Sequence, residues 1–78
     1  MTWNYRVVKF DGAFDEPYFE IKEVYYDRDG NPTGYCDATV AGETFEDIIT
    51  VLDQMKADAT RAVLMEKEFY RVEKREEL

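Results

Sequence analysis

The sequence contains no histidine, one cysteine and two prolines. Without histidine, acid–base and nucleophile–base chemistry near neutral pH is left to carboxylates, lysine, tyrosine and a lone thiol. That thiol, Cys36, has no partner for an internal disulfide and no histidine with which to build a zinc site, so no metal or other cofactor is expected. Such cysteine usage suits a reducing compartment. No stretch approaches the roughly 18 apolar residues of a membrane span. The first ten residues also lack the apolar run behind a basic patch that marks a secretion signal. The expected location is cytoplasmic, with no membrane contact.

Positive charge is scarce as well. Lysine and arginine number 10 against 18 aspartates and glutamates, giving a formal net charge of −8. Long-range repulsion therefore disfavours direct binding to nucleic acid or to anionic lipid. The same charge suits a basic protein surface or could imitate a phosphate backbone, while solubility is its simplest role. At 78 residues the chain fits one domain, and a domain of that size buries only about 60% of its unfolded surface, so a partner chain would add to a marginal core. What the sequence does hold is aromatic surface: one Trp, six Tyr and five Phe are a heavy load for a single helix to cover.

Three segments read as strands. Trp3 to Phe10 is rich in β-branched and aromatic residues, with Trp3, Tyr5 and Val7 on one face and Val8 and Phe10 on the other. Asp11-Gly12 supplies turn chemistry, and Ala13 to Pro17 lengthens the connection into a loop. Tyr18 to Tyr26 alternates Phe19, Ile21 and Tyr25 against Tyr18, Val24 and Tyr26, and is expected to be the central strand. Asp27-Arg28-Asp29-Gly30-Asn31-Pro32 is dense in turn formers. A third strand is expected from Thr33 to Val40, and its small residues Cys36 and Ala38 would let a helix approach closely. The Cys36 face is therefore assigned to the core, and Cys36 is read as a small buried hydrophobe.

Thr44 reads as a helix N-cap, with Asp47 three residues on as a variant capping box and Glu46 and Asp47 near the positive helix end. Phe45, Ile48, Ile49, Leu52, Met55 and Ala59 then form one apolar stripe, expected to face the sheet and to continue to about Thr60. Ala62 to Met65 either extends the helix or lies extended beside it, and the extended form is preferred. Residues 1–65 thus form one α+β domain, a three-stranded antiparallel β-meander with one helix packed on one face (β-β-β-α). Residues 66–78 are a charged C-terminal tail, anchored at most by Phe69, Tyr70 and Val72 and expected to fray or to order only against a partner.

No constellation of catalytic residues emerges. Glu20 and Glu23 fall on opposite faces of a strand and cannot act together, and Glu46 and Asp47 are accounted for by the helix start. Asp27, Asp29 and Asn31 imitate the opening of a calcium loop, but Pro32 stands where that loop needs Gly and Ala38 where it needs Glu. A hairpin turn is the better account. Cys36 is flanked by Tyr35 and Asp37, which supply neither a base nor a cation.

A meander places Val8, Phe10, Val24, Tyr26 and Tyr35 together on the face away from the helix. Apolar patches of that kind mark protein contacts, and tyrosine suits them by joining an apolar ring to a polar hydroxyl. These five residues are the candidate interface. The alternative is that the segment from Ala62 to Val72 folds back over them.

The run Trp3-Asn4-Tyr5-Arg6-Val7 followed by Glu23-Val24-Tyr25-Tyr26-Asp27 and Gly30 resembles small uncharacterised bacterial proteins with a WNYRV opening and an EVYYD-x-x-G hairpin. The likeness continues through Gly42 to Asp47 and covers about residues 3–65. More distantly, Gly42, Thr44 and Glu46 resemble the Gly-x-Thr-x-Glu helix start of HicB-type antitoxin domains, without their proline-rich segment or DNA-binding extension. That likeness implies a HicB-like β-β-β-α fold. The combined expectation is a non-catalytic module that forms a homodimer or binds a protein partner. An antitoxin-like or acidic-mimic inhibitor of a basic protein is the alternative, and a small-molecule sensor is a third.

Overall fold

The computed structural model describes residues 2–69. β1 (Thr2–Phe10) and β2 (Tyr18–Tyr26) pair antiparallel along their whole length, from Thr2 opposite Tyr26 to Phe10 opposite Tyr18. Their β-branched and aromatic side chains suit a pleated surface packed on at least one side. The connection folds into a short 3₁₀ turn, Ala13–Asp15. Gly12 takes φ 69° there, and a Cβ at that position would strike the Glu16 carbonyl oxygen. Phe14 and Asp15 also adopt left-handed backbone, at φ 56° and 59°, a conformation in which any Cβ crowds the following carbonyl.

The second turn is built on Asp27. Its Oδ1 accepts from the Asp29 and Asn31 backbone N–H groups, each at 2.9 Å, and Gly30 takes φ 85°. The carboxylate thus satisfies two loop donors, which is turn chemistry. β3 (Pro32–Asp37) returns antiparallel to β2 with an irregularity at Tyr25/Tyr26. It stops three residues short of the expected Val40.

α1 (Phe45–Asp58) begins at the predicted capping box: the Asp47 N–H donates to Thr44 Oγ1 at 3.1 Å and the Thr44 N–H to Asp47 Oδ2 at 3.2 Å. Two orphan donors of the first turn are satisfied reciprocally. Beyond the helix, Leu64–Met65 is extended, as preferred from the sequence, and forms β4 alongside β1. The pairing is parallel, with Val8 opposite Leu64. The sheet therefore has four strands in the order β3-β2-β1-β4 and is mixed, where three antiparallel strands were expected. A 3₁₀ turn, Glu66–Phe69, follows.

The core lies on one face of this sheet, termed the inner face, where Val8, Phe10, Val24, Leu64 and Phe69 cluster with Tyr26 packed against them. The folded unit thus includes Phe69; of the expected tail, residues 70–78 lie outside the described residues. On the outer face α1 is positioned chiefly against β1 rather than across the sheet. Two expectations are corrected here. Cys36 is exposed, so its face is not the main core. Phe45, Ile49 and Leu52 are also exposed instead of being pressed on the sheet. The helix turns a neighbouring line inward: Met55 and Asp58 are buried, and Ile48 and Val51 half-buried. Their steps of three and four residues define one face of a helix.

Candidate functional site

The five residues expected to form an interface do come together. Phe10 stacks on Tyr18 with centroids 5.3 Å apart and meets Tyr35 edge-on at 5.5 Å. Val24 stands opposite Tyr35 in the β2–β3 register. Cover for Val8, Phe10 and Val24 comes from the same chain: Leu64 and Phe69 complete the cluster, and the Phe69 ring meets Tyr35 edge-on at 4.9 Å, while Tyr35 itself stays exposed at the rim. Val8 and Val24 have no exposed surface left. Each such side chain contributes roughly 2 kcal/mol when fully buried. The segment that was expected to fold back in the alternative supplies this cover through residue 69, while Tyr70 and Val72 lie outside the described residues.

Charged groups frame this inner face. Lys22 is buried among carboxylates and rings. Its Nζ lies 2.6 Å from Asp37 and 3.2 Å from Glu20, with the Phe10 and Tyr35 centroids at 5.6 and 5.7 Å. The Asp37 hydrogen bond outweighs burial and raises the Lys22 pKa above its ordinary value. Arg6 donates to the Tyr26 hydroxyl at 3.0 Å and to the Ala62 carbonyl, and Tyr26 in turn donates to Asn4 at 2.7 Å. These bonds fasten the approach to β4 onto the sheet.

The outer face is different in kind. Trp3 and Tyr5 of β1 meet edge-on at 5.2 Å. Trp3 is 51% and Phe19 60% exposed. Near the β3 edge, the Tyr25 hydroxyl lies 3.2 Å from Cys36 Sγ and donates to Glu23 at 3.1 Å. Cys36 foremost, and then Glu23, raise the Tyr25 pKa well above its ordinary value. Glu20 belongs to the inner face and Glu23 to the outer, as strand alternation requires.

An open cleft of about 490 Å³ separates the end of α1 from the start of β1, lined by Trp3, Asn4, Tyr5, Gln54, Asp58 and Arg61. Asp58 is only 4% exposed. Its Oδ2 accepts the Tyr5 backbone N–H at 3.2 Å and its Oδ1 the Arg61 Nε at 3.3 Å. Burial opposes its charge, but hydrogen bonds from Gln54, Tyr5 and Arg61 prevail and hold its pKa below the ordinary 3.8. The carboxylate occupies a free donor on the edge of β1 and so locks the helix end to the sheet. Sequence reasoning missed it, although an acidic residue three positions after Met55 on the inward helix line was a visible signal.

Among the described residues, no group of three or more Cys, Asp or Glu could hold a metal ion, and no helix is long and apolar enough to cross a membrane. No protein-family model matches the chain, and neither a curated protein nor a solved structure does.

Proposed function

We propose that this protein is a non-catalytic interaction module, forming a homodimer or binding a protein partner through its outer face and the exposed flank of α1. The observation that supports this is the distribution of apolar surface. The centre of the inner face is filled by the chain's own Leu64 and Phe69, with Tyr18 and Tyr35 left exposed at its rim, whereas Trp3, Phe19, Phe45, Ile49 and Leu52 are exposed on other parts of the same small domain. Aromatic residues are enriched where protein surfaces meet and act as anchors there. The buried or paired charged groups have structural work of their own, Asp27 in a turn, Asp47 in the helix cap, and Lys22, Asp37 and Asp58 in ion pairs, which supports a binding role over a chemical one.

Sedimentation equilibrium of the whole chain, together with capture from its source cells at low salt, tests the proposal. Self-association, or capture that Trp3→Ala and Phe19→Asp both abolish, is the expected result. A chain that stays monomeric at high micromolar concentration and captures nothing overturns it.

The net charge of −8 favours a second reading, an antitoxin-like or nucleic-acid-mimicking inhibitor of a basic protein. Capture of a basic partner that weakens steeply with added salt distinguishes it from apolar self-association.

A further inference from the structure

The cleft between the end of α1 and the start of β1 is reached by Trp3, Asn4 and Tyr5 together. Side chains of consecutive strand residues point to opposite faces, so a cleft touching all three runs along the edge of β1 and not over one face. On that edge β4 pairs only with Val8 and Lys9, and among the described residues no strand lies beside Thr2 to Tyr5. Tyr5 donates its backbone N–H outward, to Asp58 Oδ2 at 3.2 Å. The N–H and C=O of a residue in an antiparallel strand point to the same side, and the sides alternate along the chain. The Tyr5 C=O and both main-chain groups of Trp3 therefore face the cleft as well. No group among the described residues bonds to these three.

We propose that an extended segment of a partner protein adds to the sheet in this cleft, as a short strand beside Thr2 to Tyr5 with an apolar side chain against Trp3. This rests on the interaction-module reading and gives the form of its partner. A donor and two acceptors set in line at strand spacing are matched by another extended backbone, the mode in which peptides join open sheet edges. The open stretch spans about 13 Å at the rise of a strand. Asp58 already holds the acceptor's place on Tyr5, so the added strand stops there. Trp3 is 51% exposed, with its ring held edge-on to Tyr5 at 5.2 Å, and so offers fixed apolar surface to a neighbouring side chain. An uncharged backbone meets no net charge here, since the cleft's one carboxylate and one guanidinium pair with each other, Asp58 with Arg61 at 3.3 Å. A contact of this size is transient.

Trp3 is the chain's single tryptophan, so its fluorescence reports on the cleft directly. A displayed library of random seven-residue peptides lacking tryptophan is panned against the whole chain, and binders are titrated as acetylated, amidated peptides. Binding is expected to shift Trp3 emission. Each backbone nitrogen of one binder is then methylated in turn. The two amides that meet the Trp3 and Tyr5 carbonyls, two residues apart, should each weaken binding about tenfold or more when methylated, and the amide between them less than about threefold. Binding that leaves Trp3 emission unchanged, or whose response to methylation lacks this two-residue period, overturns strand addition. A library that yields no binder overturns it too, as does Trp3 emission that responds to cellobiose and to no peptide, which marks a small-ligand site. In each case sedimentation and capture still decide the interaction-module reading on their own.

Discussion

At the centre of the inner face Val8 and Val24 are wholly enclosed and Phe10 and Phe69 nearly so, with Tyr18 and Tyr35 exposed only at the rim; on the outer face Trp3 and Phe19 stand more than half exposed beside a helix that rests chiefly on β1. Both faces carry comparable aromatic side chains, so hydrophobicity does not separate them. What separates them is cover. A short parallel strand and one 3₁₀ turn close the inner face, although the sequence from Glu66 onward is dominated by charge. The amphipathic helix, with the stronger sequence signal, leaves much of its own stripe uncovered.

Removing that cover is the severest way to break the contrast. Phe69→Ala should destabilise the fold by about 3 kcal/mol, as large-to-small changes of a buried aromatic do, read as a lower urea midpoint. Trp3→Ala on the outer face should shift the midpoint far less. If the two variants are equally destabilising, the faces are not energetically distinct.

Asp58 joins the helix to the sheet, so it reports on the outer side. Asp58→Asn should remove about 1 to 2 kcal/mol, the range for a buried hydrogen-bonded group left imperfectly partnered. Because the folded pKa of Asp58 lies below 3.8, the unfolded chain takes up a proton first as the solution is acidified. Its stabilisation is present above pH 3.8 and is lost as pH falls through the lower folded pKa. Asp58→Asn should flatten that part of the stability curve, and an unchanged acid limb would remove Asp58 from this role.

The smallest effect belongs to Cys36. It is exposed at the open edge of the outer face, so Cys36→Ser should change stability by less than about 0.5 kcal/mol. The native thiol should also react fully with a disulfide reagent without denaturant. Protection of Cys36 at high protein concentration would place it inside a contact between copies.

Local chemistry made much of this legible in the sequence. β1, β2, the Asp27 turn and the Thr44–Asp47 helix start all follow from alternation, turn residues or side-chain capping, each decided within a few residues. The gathering of Val8, Phe10, Val24, Tyr26 and Tyr35 was legible for the same reason, since period-two alternation and a short hairpin fix which side chains share a face. Which face would be covered was not. Alternation is symmetric between faces, and the small residues Cys36 and Ala38 suggested close helix packing at a position where β3 forms an edge and the helix is elsewhere. The parallel β4 was illegible in another way: Leu64–Met65 is too short to show any period, and its direction depends on how the chain returns after α1.

The pairing of Val8 with Leu64 also sets an order of events. The two residues lie at opposite ends of the described chain, so joining them closes a loop through nearly all of it, and the entropy of closure is lost before the contact returns anything. The β1–β2 and β2–β3 hairpins involve only neighbours and have no such delay. Topology therefore favours the hairpins ahead of the β1–β4 pairing. In a chain that has joined β1 to β2 and not yet to β4, the Val8–Val24 row is open sheet surface rather than core, a surface the mature protein no longer presents.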